Sequence, residues 1–428
     1  MNQRRIAFFL VTIMLLLTPA LSVNSPSAMG DAELNKLGIQ PPSSLNIPGF
    51  QEGSIFTNDT LSNGYEHSCL IQNDGNVSCW GGDNYGVGVL GNGVATYQTT
   101  PTQVSSFGNN RTAVSVSGGD YHTCAILNTG EVSCWGSAIS LGNGTTVDQY
   151  TPVDTSTLGQ GRKAISISSG AYHTCVVVDN GTVSCWGVNS NGRLGRGTTS
   201  NYELTPSITS SLGIGRQAVA ISAGQFHTCA ILDTGEVSCW GFNNYGQIGN
   251  GGTNDQLTPT LTSNLGNGRA AIAISSGSLL TCAVLDDLSA RCWGQGHGTT
   301  PSTVSGLGAN TDVVAISAGR KHACALLATG NVSCWGEGNL GQLGTGNYAY
   351  SSSAVPTSGF GPERYATAIS AGDDHTCALL DNGSISCWGN NGYGQLGDGT
   401  IISVPNPTLV NFTFVESPAI AIATGGYF

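Results

Sequence analysis

The chain contains fourteen cysteines, and they fall into seven pairs whose members are ten residues apart. Paired thiols either close disulfides or bind zinc, but structural zinc usually takes two closely spaced pairs of the Cys-x2-4-Cys kind, which the chain lacks. Residues 1–22 read as a secretory leader, and an even number of cysteines behind such a leader favours disulfides instead. The predicted disulfides join Cys69 with Cys79, Cys124 with Cys134, Cys175 with Cys185, Cys229 with Cys239, Cys282 with Cys292, Cys324 with Cys334, and Cys377 with Cys387.

Histidines also recur at a fixed position, two residues before the first cysteine of a pair. Imidazole is a common metal ligand, but one histidine per repeat is too dispersed to converge on a single ion. We therefore expect these side chains to make structural hydrogen bonds where a strand begins. They are His67, His122, His173, His227, His322 and His375.

Arginines form a third recurrent set, eight residues before the glycine of a Gly-x-x-His motif. If the repeats surround an axis, these guanidinium groups gather near one mouth of a central channel, where they could hold carboxylates or an acidic partner loop. Alternatively, they pair with carbonyls or acids of neighbouring repeats. The candidate partner-binding residues are Arg111, Arg162, Arg216, Arg269 and Arg364.

The sequence gives little support for catalysis or for binding of a metal or cofactor. No Ser/His/Asp order, nucleotide-binding loop or zinc-binding helix stands out, so we predict no enzyme, no catalytic residue, no metal site and no cofactor. Acids in loops fit either solvated turns or weak calcium contacts; they are Asp83, Asp255, Asp373, Asp374 and Asp398. Asparagines in Asn-x-Ser/Thr motifs could carry glycans or serve as turn residues; they include Asn110, Asn143, Asn180 and Asn382.

The cysteine pairs must be positioned by hairpins. Cys229–Leu232 and Glu236–Cys239 are strand-like runs on either side of a three-residue turn that ends in Gly235. Such a turn needs a residue with positive φ at its third position, which glycine provides. Counting outward from the turn places Cys229 opposite Cys239, about 4.5 Å apart at a non-hydrogen-bonded pair. The same glycine recurs in five further units, at Gly75, Gly130, Gly181, Gly330 and Gly383.

All seven tryptophans directly follow the second cysteine of a pair, at intervals of 55, 51, 54, 53, 42 and 53 residues. A period near fifty with several short strands per unit is typical of propeller blades. The Gly-x-x-His, Trp-Gly and Gly-Gln-Leu-Gly motifs together resemble the regulator of chromosome condensation repeat family from about residue 55 to 428. The resemblance implies an all-β, seven-bladed β-propeller of four-stranded antiparallel blades, with one hairpin disulfide per blade and strands such as Ala164–Ser168 lining the axis. Family members share a habit of binding proteins on propeller faces.

Two units depart from the repeat. The fifth has Ser278-Leu279-Leu280 in place of the aromatic-His stretch, Leu288 in place of the turn glycine, and no Gly-Gln-Leu-Gly loop. Drift explains such differences, although a binding face also requires asymmetry. The first unit has only Thr57–Gly64 where the innermost strand belongs, so residues 418–424 either close the first blade or begin a further repeat of a longer chain.

The N-terminal segment and the overall composition indicate where the protein works and what it binds. Residues 1–22 read as a signal peptide, with Arg4 and Arg5 before an apolar run; residues 23–50 read as a Pro/Ser-rich linker, and 51–428 as the propeller. The net charge of −12 and only three lysines argue against nucleic acid. We therefore expect a secreted or cell-surface, monomeric scaffold that does not span a membrane and binds an extracellular protein or glycan. A structural or adhesive module of a larger chain is the alternative, and an enzyme with a site in the channel is a third.

Overall fold

The structure, a computed structural model, describes residues 60–83, 85–266, 268–308 and 311–412, together with the backbone of a short strand at 424–425. The predicted signal peptide and linker lie outside the described residues. Within them, the strands form seven sheets, numbered as blades one to seven in chain order; each contains four consecutive antiparallel strands, and the first has a fifth strand on its inner edge. The described residues also include two single-turn 3-10 helices, at Ala138–Ser140 and Ser190–Gly192. None of the described helices has the length and apolarity needed to cross a membrane.

Each blade runs from an innermost first strand to an outermost fourth strand. The first strands are β1 (Leu61–Asn63), β5 (Ala113–Gly118), β9 (Ala164–Ser169), β13 (Ala218–Ala223), β17 (Ala271–Ser276), β21 (Val313–Ala318) and β25 (Ala366–Ala371). The second strands are β2 (His67–Ile71), β6 (His122–Leu127), β10 (His173–Val178), β14 (His227–Leu232), β18 (Leu280–Leu285), β22 (His322–Leu327) and β26 (His375–Leu380).

The outer half of each blade follows the same order. The third strands are β3 (Val77–Gly81), β7 (Val132–Gly136), β11 (Val183–Val188), β15 (Val237–Gly241), β19 (Ala290–Gly294), β23 (Val332–Gly336) and β27 (Ile385–Gly389). The fourth strands are β4 (Gln98–Gln103), β8 (Gln149–Asp154), β12 (Tyr202–Ile208), β16 (Gln256–Leu261), β20 (Gly298–Thr303), β24 (Ser351–Pro356) and β28 (Val404–Leu409). The predicted seven-bladed, all-β propeller is confirmed.

The first blade uses its own short segment as its innermost strand. β1 pairs antiparallel with β2, and Ser62 lies opposite Cys69. A further strand, β29 (Thr424–Gly425), runs parallel to β1 on its free edge. That residues 418–424 close this blade stays a prediction, because residues 418–423 lie outside the described part of the chain.

The predicted hairpin register is confirmed. Cys229 lies opposite Cys239 and Ile231 opposite Val237. The Gly235 N–H donates to the Leu232 carbonyl at 2.8 Å, with φ +78° at Gly235. In the fifth blade Leu288 makes the same turn at φ +61°, a conformation that costs a non-glycine residue about 1–2 kcal/mol.

The predicted disulfide pairing is confirmed in every blade. Each disulfide joins the second strand of a blade to the third strand of the same blade, with Cα atoms 4.0–4.1 Å apart. From blade one to blade seven the bonded pairs are Cys69 with Cys79, Cys124 with Cys134, Cys175 with Cys185, Cys229 with Cys239, Cys282 with Cys292, Cys324 with Cys334, and Cys377 with Cys387.

The hydrophobic core lies between blades rather than within them. Because each sheet is covered on both faces by its neighbours, the second and third strands are buried almost throughout, including their polar residues such as His227, Thr228 and Ser238. Between blades three and four, for example, Val177 and Leu194 pack against Ile221 and Trp240. We call each such blade-to-blade contact a joint.

Near the axis the joints are made by hydrogen bonds between serine side chains and backbone N–H groups. At each joint an innermost-strand serine accepts a hydrogen bond from a main-chain N–H of the next blade; the seven acceptors are Ser62, Ser117, Ser168, Ser222, Ser275, Ser317 and Ser370. The seventh bond, from Asn63 N–H to Ser370 Oγ at 3.1 Å, joins blade one to blade seven. The ring is therefore closed by the same interaction that builds it.

The glycine of each Gly-x-x-His motif, or of its counterpart in the fifth blade, allows the closest approach. A Cβ on Gly170 would lie 2.3 Å from the carbonyl oxygen of Gly224 in the next blade, and equivalent clashes of 2.1–2.5 Å recur at all seven joints. The sevenfold set is Gly64, Gly119, Gly170, Gly224, Gly277, Gly319 and Gly372. A side chain here would force two blades apart.

Replacing Gly170 with Ala is expected to lower the free energy of unfolding by about 3–5 kcal/mol, because the clashing carbonyl belongs to backbone that cannot move aside alone. The matched control is Gly359→Ala, since a Cβ at Gly359 meets no described atom within 4 Å. We expect the control to change stability by no more than about 0.5–1 kcal/mol. Thermal unfolding of both variants measures the difference, and equal midpoints would show that backbone contact between blades is not limiting.

Replacing Cys229 and Cys239 together with Ala should lower the free energy of unfolding by about 2–3 kcal/mol, the value for a short closed loop. The variant should still fold, because its fourth blade remains packed between two others. Denaturant titration gives the loss, and peptide mapping without reduction should recover the other six pairs. A free thiol or a cross-blade linkage in the wild-type protein would contradict the assignment.

Candidate functional site

The two ends of the ring differ in what they carry. At one end, first strands pass to second strands through the Gly-x-x-His turns, and third strands pass to fourth strands through the long loops; we call this the loop face. The opposite end carries the turns of the disulfide hairpins and the connections between blades; we call this the hairpin face. The two faces hold different classes of recurrent residue.

The histidines belong to the joints. Each donates or accepts a hydrogen bond through Nε2 with a hydroxyl of the next blade, as His122 does with Thr174 Oγ1 at 2.7 Å. The other pairs are His67–Thr123, His173–Thr228, His227–Thr281, His322–Thr376 and His375–Ser68. Burial lowers the pKa of His122 to about 3. No cluster of three or more potential metal ligands occurs among the described residues.

The five candidate arginines lie on the hairpin face, where each pairs with an acid of its own blade. Arg162 Nη1 is 3.2 Å from Asp179 Oδ1, and Asp179 begins the hairpin turn of the same blade. The equivalent pairs are Arg216–Asp233, Arg269–Asp286 and Arg364–Asp381, whereas Arg111 pairs with Glu131 beside its turn and with Asp154 at the end of β8. The arginines therefore stand one per blade beside the turns. That they bind a partner stays a prediction.

Side chains from different blades converge on the loop face instead. The Gln225 Nε2 amide donates to Asp120 Oδ2 at 3.0 Å and to Asp373 Oδ2 at 2.7 Å, and Gln225 Oε1 accepts from the Ser278 hydroxyl at 2.7 Å. These residues come from blades four, two, seven and five. One amide therefore ties together blades that are not neighbours, across the mouth of the channel.

An arginine extends this network to the sixth blade. Arg320 Nη2 donates to both carboxylate oxygens of Asp374, at 2.9 and 3.0 Å, and Arg320 Nε is 3.9 Å from Asp373. We call the whole set the polar cluster; its members are Asp120, Gln225, Ser278, Arg320, Asp373 and Asp374.

The electrostatics of the polar cluster are set by burial. Burial raises the pKa of Asp120 to about 7, and the Gln225 hydrogen bond and the Arg193 and Arg320 charges oppose that shift only in part. Burial, followed by the negative charge of Asp120, raises the pKa of Asp373 well above its usual value. The channel mouth therefore holds two carboxyl groups whose pKa values lie above the usual range for aspartate.

Aromatic rings flank the polar cluster. Tyr121 stacks on Tyr172 with centroids 4.3 Å apart, and Tyr85 meets Tyr121 edge-on at 4.7 Å. Tyr65 lies 6.3 Å from Tyr121. We call Tyr65, Tyr85, Tyr121 and Tyr172 the tyrosine cluster. Tyr85 is 63% exposed while the other three are partly buried, so the cluster presents a broad aromatic surface with little freedom to move.

A second aromatic group lies in the fourth blade. The Arg193 guanidinium stands 5.3 Å above the Phe226 ring, and Phe226 contacts Phe242, which contacts Tyr245. Arg193 is almost fully buried, and burial lowers its pKa to about 10. The mouth of the channel is thus bordered by aromatic side chains from blades one to four.

Sequence reasoning had placed Asp373 and Asp374 in loops but missed their convergence with Asp120, Gln225 and Arg320. The sequence nevertheless contains a pattern that marks these positions. The two residues between the glycine and the histidine of each motif change from blade to blade, whereas the residues around them repeat. Variation at one fixed position of a constant repeat marks the surface on which the blades differ.

The other loop acids support the loops that carry them. Asp83 accepts from the main-chain N–H groups of Val87 and Gly88, at 3.0–3.1 Å. Asp255 accepts from Asn243 N–H, and Asp398 accepts from Thr400 N–H. These acids act as turn residues within the described part of the chain.

Comparison with known proteins gives a consistent result. The profile of the Regulator of chromosome condensation (RCC1) repeat matches residues 129–177, 180–231, 234–284, 329–379 and 382–428. The Ultraviolet-B receptor UVR8 of Arabidopsis thaliana is 31% identical over 369 residues, which cover 83% of this chain and 82% of the receptor.

Two solved structures share the fold. Human WBSCR16 is 24% identical and has a TM-score of 0.66, and the match covers 74% of this chain and 85% of that one. Prp20p of Saccharomyces cerevisiae is 21% identical and has a TM-score of 0.69, with 83% and 87% covered. At these identities the two structures establish similarity of fold alone.

Replacing Asp120 with Asn should stabilise the protein, and increasingly so as the pH rises from about 4 to about 7. The folded-state pKa of about 7 exceeds the unfolded value of about 3.9, so in this window the folded protein retains a proton that the unfolded chain has released. Deprotonating Asp120 therefore destabilises the folded state, and the amide avoids that cost.

The measurement is the difference in thermal midpoint between variant and wild type from pH 4 to pH 8. We expect the difference to grow by several degrees in favour of the variant, while contributions from the buried histidines cancel. Asp312→Asn, at an exposed position, is the control and should show a constant difference. A constant or shrinking difference for Asp120→Asn would refute a raised pKa at this site.

Proposed function

The chain belongs to the regulator of chromosome condensation (RCC1) repeat family, and from that premise we propose that it is a non-enzymatic scaffold that binds a partner protein through its loop face. The family supports binding in general terms. UVR8 is named as a receptor, and Prp20p is described by its binding properties to Gsp1p and histones. Those partners are properties of those proteins, and only the habit of binding proteins is carried over.

The observation that carries the proposal is the tyrosine cluster beside the polar cluster. Tyrosine is enriched in protein interfaces because it offers a large, rigid contact area together with a hydroxyl group. Here the exposed ring of Tyr85 packs edge-on against the partly buried ring of Tyr121, which in turn stacks on Tyr172. A preorganised aromatic surface loses little conformational entropy on binding.

Charge indicates what the partner should look like. The chain has a net charge of −12, and the loop face carries Glu66 and Asp374 near the tyrosine cluster, whereas Asp120 and Asp373 add less negative charge because burial raises their pKa values. Arg320 offsets part of this charge through its ion pair with Asp374. Complementarity therefore favours a partner that brings lysine or arginine to the rim of the contact.

The enzyme alternative has one feature in its favour, because a carboxyl group with a pKa near 7 suits general acid–base catalysis. Space argues against it. The cavity beside Asp120, lined by Tyr65, Asp83 and Tyr121, measures about 10 Å³. That volume is about the minimum that holds one water molecule, so this cavity has no room for a substrate.

We also propose that the protein works outside the cytoplasm. The apolar N-terminal segment reads as a leader, and seven disulfides within a single chain suit an oxidising compartment. A structural or adhesive module of a larger chain remains the alternative function, and it differs in needing no discrete partner on the loop face.

The test is affinity capture from the native medium with four forms of the protein as bait, the wild type and three variants. Tyr85→Ala combined with Asp374→Asn alters the loop face, whereas Arg162→Ala combined with Arg216→Ala alters the hairpin face. We expect a partner captured by the wild type to be lost at least 10-fold with the first variant and retained with the second. Tyr365→Ala, which removes an exposed tyrosine next to Arg364 on the hairpin face, is the matched aromatic control.

The reverse result, with loss only in the arginine variant, would move the binding site to the hairpin face. Equal capture by all four baits, or no specific partner at all, would favour the structural module. Cross-linking followed by mass spectrometry identifies the contacted blades independently of the variants.

A further inference from the structure

Six of the seven joints share a hydrogen bond between a tryptophan and a loop. The indole Nε1–H of one blade donates to a main-chain carbonyl in the long loop of the preceding blade, as Trp240 does to Arg193 at 2.9 Å. The other five pairs, at 2.8–3.0 Å, are Trp80–Gln395, Trp135–Val89, Trp186–Ser140, Trp293–Gln247 and Trp388–Gln342.

The two residues after that carbonyl complete the joint. In every case the next residue is a leucine or isoleucine whose side chain is buried, and a glycine then packs on the indole ring. In the third blade these are Leu194 and Gly195, and a Cβ on Gly195 would come within 2.9 Å of Trp240 Nε1. The loop thus supplies an acceptor, an aliphatic side chain and a residue without a side chain.

The joint between blades five and six lacks this loop. In the fifth blade β19 ends at Gly294 and β20 begins at Gly298, so only Gln295–His297 connect them. Trp335 of the sixth blade is 3% exposed, and its Nε1 has no hydrogen-bond partner within the part of the chain that the structure describes. A cavity of about 280 Å³ lies here, lined by Leu280, Trp335 and Tyr350 among others.

The hydrogen bond between a histidine and a hydroxyl group is missing from this joint as well. Where other joints pair a histidine with a hydroxyl, this one has Leu280 and Ala323. Both partners have been replaced together, so the joint retains an apolar wall and an indole donor that no described residue pairs. We call this space the blade 5/6 cleft.

We propose that the blade 5/6 cleft binds a short peptide segment of a partner protein, one that presents a leucine or isoleucine followed by glycine. The segment would place a main-chain carbonyl on Trp335 Nε1–H, as the chain's own loops do at the other six joints, and would pack its aliphatic side chain against Leu280 and Ala323. The volume lies near the lower end of the roughly 300–1,000 Å³ found for ligand pockets, which fits two or three residues.

The rim of the cleft suits a peptide backbone. Lys321 Nζ lies 2.9 Å from Glu337 Oε1, so a peptide crossing this rim meets both a donor and an acceptor. Tyr350, at 66% exposure, stands beside them and offers a ring to cover the bound segment. The cleft is separate from the tyrosine cluster, so the test of this proposal is independent of the test of the function proposed above.

The test uses residues 23–428 and a synthetic peptide with the sequence of the fourth-blade loop Asn243–Gly251. With tryptophan labelled by 15N, the seven indole groups give separate NMR signals, and Trp335→Phe assigns the one of interest. We expect the peptide to shift the Trp335 signal and to leave the other six in place. A peptide with Asp at the position of Ile248 should bind at least 10-fold more weakly.

Two matched variants separate binding from folding. Trp335→Phe should weaken the peptide by at least 10-fold and lower the thermal midpoint less than Trp240→Phe does, because its indole N–H has no partner to lose among the described residues. Trp240→Phe should lower the thermal midpoint, because it removes the hydrogen bond to Arg193, and should leave peptide affinity unchanged.

The proposal is overturned if millimolar peptide leaves the Trp335 signal unmoved, or if the Asp-containing peptide binds equally well. A lower thermal midpoint in Trp335→Phe, equal to that in Trp240→Phe, would show that the indole is already paired. If the signal responds only after residues 23–50 are removed, the cleft belongs to the chain's own segment, and an external partner is excluded.

Discussion

Adjacent blades meet backbone to backbone at seven glycines, and the ring depends on that contact. Only a residue without a Cβ lets the carbonyl of the next blade approach as closely as it does at Gly170. Once this spacing is set, innermost-strand serines reach the next blade's N–H groups, and His Nε2 reaches a hydroxyl of the following blade. These directed bonds have partners only because the glycines bring the blades together.

This construction separates stability from recognition. The buried strands and the disulfides are the same in every blade, and they fix each hairpin whichever residues occupy its ends. Between the glycine and the histidine of each motif, the chain can vary two side chains without disturbing the joint on either side. The polar cluster and the tyrosine cluster are made largely from those positions, so a repetitive scaffold carries an asymmetric surface.

The fifth blade shows what happens when a joint loses its usual contacts. Leu280 and Ala323 replace the histidine and its hydroxyl partner together, and the loop that would satisfy Trp335 is absent from the described blade. A single lost contact would leave a buried polar group at a cost, whereas replacing both partners of a bond by apolar groups is nearly neutral. Trp335 is the exception, since its donor remains without an acceptor among the described residues.

The sequence by itself determined the disulfide pairing, the hairpin turns and the blade count, because these follow from short-range spacing: Cys229 and Cys239 face each other whenever a glycine turn lies midway between them. The family motifs implied seven four-stranded blades around an axis, and the tertiary structure decided how the ring closes, through Asn63 and Ser370. The convergence of Asp120, Gln225 and Asp373 was decided only by the tertiary structure, because Gln225 is 105 and 148 positions from the two acids and meets them only when seven blades share an axis. The same holds for the cleft at Trp335, since a missing loop becomes a cavity only when the neighbouring blade is in place. The ion pairs of the recurrent arginines also appear only in the tertiary structure, where each guanidinium meets an acid of its own blade.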